Sequence, residues 1–151
     1  MIRDSLKAAQ IAALKAGDKP RLGAVRLILA KLKDRDIELR TASALPDDDA
    51  TVTEVLQKMA KQRRESILLY RQGGRDELAE AEAAELTVIE EFLPQQLDED
   101  ETRALIAALK AELGAASLKD MGRLMAELKA RHGSRLDMAR ASGWVKEALS
   151  P

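Results

Sequence analysis

Lys61–Leu97 reads KQRRESILLYRQGGRDELAEAEAAELTVIEEFLPQQL, and its reading decides the fold. A basic stretch of good helix formers runs into Gly73-Gly74, an acidic stretch follows, and Phe92-Leu93-Pro94 ends it. Glycine supplies the left-handed conformation that a helix C-terminus often needs. Proline cannot continue a helix, and it pushes the residue before it out of helical geometry. The stretch therefore predicts a helical hairpin, with one helix running to about Gln72 and the next spanning about Asp76–Phe92. A domain boundary follows at residues 94–97.

Inside that hairpin the helical period puts charge where apolar side chains are expected. Val52, Leu56, Met59, Ile67 and Tyr70 share one face of the first helix, with Arg63 in its middle. Leu78, Ile89 and Phe92 define the inner face of the second, and Glu82 and Glu85 fall within it. In an antiparallel hairpin, residues equidistant from the turn meet, so Arg63 lies opposite Ala84, between the two glutamates. A charge in an apolar seam is costly unless paired. The predicted pair is Arg63 with Glu85, with Glu82 as second choice, and its role is to fix the register of the hairpin.

Outward from the hairpin, the pattern stays helical. Upstream, a helix is expected over Ile2–Lys15, stopped by Gly17-Asp18. Asp18 caps a second helix opening at Lys19-Pro20, because proline is welcome in a first turn. Leu22, Val25, Ile28, Leu29 and Leu32 carry its apolar face. Thr41–Ala50, with Pro46 and three consecutive aspartates, reads as a loop, and the third helix is expected to restart at Thr51 or Thr53. Downstream, Asp98 with Glu101 and Ser117 with Asp120 resemble capping boxes. They open helices ending at Gly114 and Gly133, and a last helix runs from about Asp137 to Leu149. The expectation is an all-α chain. Residues 1–94 form an N-terminal four-helix domain, and residues 95–151 form a C-terminal three-helix bundle.

Composition agrees. Of 151 residues 46% are hydrophobic but only 2% aromatic, so the core must be built from Leu, Ala, Ile, Val and Met. With no cysteine, disulfides, thiolate metal sites and cysteine nucleophiles are excluded. No run approaches the ~20 apolar residues that span a bilayer, and the N-terminus lacks the apolar core of a signal peptide. A cytoplasmic protein without a membrane partner is expected. The net charge of −1 hides a segregation: residues 1–75 carry +6, residues 76–101 carry −11 and residues 102–151 carry +4.

A search for chemistry returns little. There is no phosphate-binding glycine loop. The single histidine, His132, shares a face with Met121, Met125 and Leu128 and reads as a packing or capping residue. Asp47-Asp48-Asp49 lack the alternating spacing of a calcium loop. No catalytic set, cofactor site or metal site is assembled. Nucleic acid is the remaining ligand class. Lys58, Lys61, Arg64 and Arg71 point away from the inner face of the third helix. In the C-terminal part the basic set is Arg123, Lys129, Arg131, Arg135, Arg140 and Lys146, with Lys119 beside it. Trp144 offers the one aromatic platform there.

The stretch KQRRESI…YRQGGRDELAEAEAAEL…IEEFLPQQL, together with SLKDMGRLMAELKA at Ser117–Ala130 and the upstream KPRLGAVRLILA, resembles the YqeY-like family. Its members are free-standing relatives of the C-terminal tail of GatB. GatB is a subunit of the glutamine-dependent amidotransferase that converts mischarged aminoacyl-tRNA. The resemblance covers almost the whole chain. It implies a two-part helical fold and tRNA as a partner of the C-terminal part. The chemistry of the amidotransferase belongs to the GatB core and to a separate amidase subunit, neither of which this chain contains. One departure concerns a Gly-x-x-Asp-Gly type element before the last helix: Gly133 and Asp137 are kept, but no second glycine follows.

Three functional readings result. The first is a non-catalytic helical module binding tRNA or a tRNA-handling enzyme, with Arg123, Lys129, Arg131, Arg135, Arg140 and Lys146 on phosphates. The second is a protein-interaction adaptor using the acidic segment 76–101. The third is an accessory part in carbon–nitrogen ligation with glutamine as amido donor, implied by the resemblance alone.

Overall fold

The computed structural model describes residues 1–150, and among them every regular element is a helix. The chain divides into two compact units, Met1–Leu93 and Pro94–Pro151.

The first unit holds α1 (Ile2–Ala16), α2 (Lys19–Leu39), α3 (Asp48–Gln72) and α4 (Asp76–Phe92). Gly17 ends α1 at φ +70°, and the Asp18 carboxylate accepts from Arg21 N at 3.2 Å to open α2. Gly74 takes the positive φ, also 70°, that turns α3 into α4. Leu93 is extended, as the residue before Pro94 must be. The core gathers Leu6 from α1, Ile28 and Leu32 from α2, Val52, Leu56, Met59 and Ala60 from α3, and Ile89 from α4. Each large side chain buried there contributes roughly 1.5–3 kcal/mol relative to exposure.

Two expectations are corrected in this unit. The α2–α3 loop is shorter than Thr41–Ala50, because Asp47 caps α3 by accepting from Ala50 N at 3.1 Å. Asp48 and Asp49 lie in its first turn, where the positive end of the helix dipole favours carboxylates. Thr51 and Thr53 are buried within the helix and do not start it. Leu78 is not an inner residue. It is 43% exposed, and its neighbour Ala79 is buried in its stead, since a small side chain suits the close approach of two helices beside a tight turn.

The second unit holds α5 (Glu99–Leu113), α6 (Met121–His132) and α7 (Met138–Leu149), with 3-10 turns at Leu118–Asp120 and Gly133–Arg135. The Asp98–Glu101 capping box is complete: Glu101 N donates to Asp98 Oδ1 at 2.8 Å and Asp98 N to Glu101 Oε2 at 3.2 Å. Asp120 accepts from Ala116 N and Ser117 N, which holds its carboxyl below the usual range. Asp137 accepts from Ala139 N and Arg140 N to open α7. Ile106, Leu109, Leu124, Leu128, Leu136, Ala141, Val145 and Leu149 build the core, with Met121, Met125 and Trp144 packed against it. The entry segment is pinned by Leu97 N donating to Arg135 O at 2.8 Å. Gln96 Nε2 adds a bond to Ser134 O at 3.0 Å.

Candidate nucleic-acid interface and the charged seam

In the α3/α4 seam, Arg63 Nη1 donates to Glu82 Oε2 at 3.2 Å. Arg63 Nε lies 3.0 Å from Glu85 Oε2, yet this N–H is not aimed well enough to count as a hydrogen bond and is left buried without an acceptor. The guanidinium therefore sits between both glutamates. Glu82, the second choice by sequence, receives the directed bond, and Glu85 supplies proximity of charge. Arg63 and Glu82 keep only 21% and 19% of their side-chain surface, whereas Glu85 keeps 40%. The pair is partly desolvated on one side and wet on the other.

The three consecutive aspartates are occupied by the protein itself. Beyond the Asp47 cap, Asp49 Oδ1 accepts from Ile2 N at 3.0 Å, and Asp48 binds the Arg3 guanidinium at 2.9 Å. Arg3 also makes a two-pronged contact with Asp36, both bonds at 3.0 Å. This holds the Asp48 carboxyl below its usual range, through the Arg3 hydrogen bond first. The Arg3 clasp joins the first turn of α1 to the end of α2 and the start of α3. Sequence reasoning missed it, because its partners are more than thirty positions away.

The predicted phosphate-binding set divides. Arg131 is committed: both its terminal nitrogens bond Glu112 at 2.8 Å, and its Nε bonds Glu127 at 2.7 Å. The same contact holds the Glu112 carboxyl below its usual range. Arg123 pairs with Asp120 at 3.2 Å, and Arg135 donates to Gln95 O at 3.0 Å. Among the described residues Lys129 and Lys146 touch no carboxylate. Arg140 touches none either, and its guanidinium lies 5.1 Å from the Trp144 ring centroid. Arg103, absent from the predicted set, lies 5.6 Å from the same ring while paired with Glu99 and Glu147, both at 2.9 Å. The spacings Glu99–Arg103 and Arg140–Trp144, each i to i+4, were the available signals for this cluster. His132 is half-buried at the end of α6.

Elsewhere, a groove of about 260 Å³ between α2 and α3 is lined by Lys31, Asp34, Arg35, Glu38, Glu54 and Lys58 over Val55 and Met59. Opposite charges alternate around it, so it presents no field of single sign. Among the described residues no group of three His, Asp or Glu could hold a metal ion. No helix is long and apolar enough to cross a membrane.

Comparison with known proteins adds a family. Residues 3–149 match the family described as Yqey-like protein. A relative from Saccharomyces cerevisiae (strain YJM789), named altered inheritance of mitochondria protein 41, mitochondrial, is 29% identical over 120 residues. The match covers 76% of this chain and 61% of the relative. The protein of the same name from Eremothecium gossypii is 30% identical over 122 residues, covering 81% of this chain and 58% of the relative. The chain thus spans about three fifths of the length of these curated relatives.

Proposed function

The chain belongs to the YqeY-like family, and from that premise we propose that it is a non-catalytic helical module whose C-terminal unit binds tRNA or a tRNA-handling enzyme. The observation that carries the reading is Arg140: a guanidinium without a carboxylate partner, held against the one tryptophan of the chain. An arginine stacked on an aromatic ring keeps its donors free for a phosphate, and the ring edge offers a surface on which a base can stack. Lys129 and Lys146, also without carboxylate partners, extend the set. Arg131 contributes least, because a phosphate would have to displace two glutamates from it. Contacts of this kind position an RNA backbone without reading sequence.

The test is a titration of unmodified tRNA with the full chain across a salt series. Each lost phosphate contact should reduce the slope of log affinity against log salt by roughly 0.7–0.9. Arg140→Ala is expected to lower affinity at unchanged melting temperature, whereas Arg131→Ala lowers the melting temperature with little change in affinity. Absence of tRNA binding at low salt, or binding indifferent to salt, would sink the reading.

The adaptor reading for 76–101 is supported by Asp76, Glu77 and Glu80, which hold no cation among the described residues, although the segment is two helices parted by the extended Leu93. An accessory part in amide transfer from glutamine has only the family resemblance behind it. Addition of the chain to a glutamine-dependent amidotransferase assay, with no change in rate, would remove it.

A further inference from the structure

The outward face of the α3/α4 hairpin carries two rails of opposite charge, most of whose charged side chains have no ion-pair partner among the described residues. On α3, Gln57, Lys61, Arg64, Leu68 and Arg71 recur at alternating steps of four and three, and Arg75 continues the row past the turn. On α4, Asp76, Glu80, Ala83, Thr87 and Glu90 recur in the same way. That spacing is the one by which helices present a seam to a partner helix. Among the described residues only Arg64 and Glu90 pair across the two rails, at 3.4 Å. Lys61, Arg71, Asp76 and Glu80 are exposed and take part in no ion pair among the described residues, although opposite charges run side by side along adjacent helices. Leu68, 60% exposed, sits in the basic rail.

We propose that this face pairs with the same face of a second copy, each α3 lying on the partner's α4. A two-fold axis parallel to the helices stacks every basic rail on an acidic rail, with crossed helices antiparallel as in a four-helix arrangement. The register of the hairpin, set by Arg63 between Glu82 and Glu85, puts Arg71 at the level of Asp76 and Lys61 about one turn from Glu90, which Arg64 contacts at 3.4 Å. Leu68 stands at the level of Ala79, one turn from Ala83, where small side chains admit it. A two-fold axis across the helices would stack basic rail on basic rail, so the charge pattern selects the first arrangement. An extended polyanion such as RNA or an anionic membrane fits worse. Either is broader than the separation of the rails, about one helix diameter or 10 Å, so it would lie against the acidic rail as well as the basic one.

Helix dimensions give roughly 400 Å² of contact per copy, half the standard interface, so the dimer is weak and dissociates with a constant on the order of 10⁻⁵–10⁻⁴ M. The experiment is sedimentation equilibrium of the full chain from about 10 μM to about 1 mM, a range bracketing that constant, at low and high salt. The weight-average mass is expected to rise above the 16.6 kDa of the monomer at low salt, with the dissociation constant at least tenfold higher at high salt. Lys61→Glu/Arg71→Glu and Asp76→Lys/Glu80→Lys should each be monomeric. Their equimolar mixture should recover a heterodimer, because one swapped rail meets the other while the native rails still match. A chain that stays monomeric at every concentration, as it would if this face served RNA or a foreign protein, overturns the proposal. So does self-association that both charge reversals leave intact, or a mixture of variants that stays monomeric with helical circular dichroism preserved. Should either double variant lose that signal, Lys61→Gln/Arg71→Gln replaces it, and its dimerisation must weaken.

Discussion

Arg63→Met separates a register-setting ion pair from an incidental one. Removing one member of a fully buried pair costs about 3–5 kcal/mol, because the other charge is left uncompensated. Two features of this site reduce that figure. Glu85 is 40% exposed and can turn to water, and Arg63 itself keeps 21% of its side-chain surface, so the pair is never fully desolvated. What remains is Glu82, 19% exposed and stripped of its only directed cation. A loss of about 2 kcal/mol is expected, which for a unit of this size lowers the melting temperature by about 8–16 °C. The assay is thermal and urea unfolding of the wild type, Arg63→Met, Glu82→Leu and the double variant. The double variant should recover most of the loss, since an apolar replacement of similar volume is often neutral or better. If Arg63→Met leaves stability unchanged, or the coupling with Glu82 stays within about 0.5 kcal/mol of zero, the seam is held by its apolar residues alone.

Other consequences are narrower. Asp98→Ala opens the capping box of α5 and should cost about 0.5–2 kcal/mol, read as an earlier unfolding transition of the C-terminal unit. Gly74→Ala forces a side chain into φ +70° and should destabilise the hairpin by about 1 kcal/mol, although a Cβ there meets no neighbour. Acid should loosen the Arg3 clasp. The Asp48 carboxyl is held below its unfolded value of 3.8, so its contribution is complete above that value and is lost as pH falls through the lower folded one. Arg3→Ala should therefore reduce stability at neutral pH and flatten its pH dependence below about pH 3.8, as followed by acid titration of helical circular dichroism.

The helices were legible because their stops are chemical: Gly17, Gly74 and Gly114 take a positive φ, Pro94 cannot continue a helix, and caps at Asp18 and Asp98 open the next. The Asp47–Asp49 run misled because three aspartates resemble a solvated loop by composition, while a helix N-terminus welcomes the same residues. Placing Arg63 between Glu82 and Glu85 needed only the helical period and the turn. Which carboxylate receives the directed bond is settled by side-chain rotamers, which the period does not encode. The basic set of the C-terminal unit was legible only as charge. Glu112 lies nineteen positions from Arg131, and nothing local announces that they meet.

That last gap has a chemical pattern. Every cation in an ion pair among the described residues is an arginine, and no lysine takes part. Arginine presents a planar fork that matches a carboxylate with two bonds, whereas lysine is a hydrated point charge that gains little from being held. The fold therefore draws its internal bridges from the arginines, as at Arg3, Arg63 and Arg131, and leaves the lysines in water. A basic residue is then a candidate for a ligand in proportion to what the fold has not asked of it. By that measure Lys129 and Lys146 rank above Arg123 and Arg131, and Arg140 is the arginine whose neighbour is a ring instead of a carboxylate. On the hairpin, Lys61 and Arg71 rank the same way, with Arg71 at the level of the equally unpaired Asp76. These free charges face carboxylates on their own chain that a second copy can reach and the first does not.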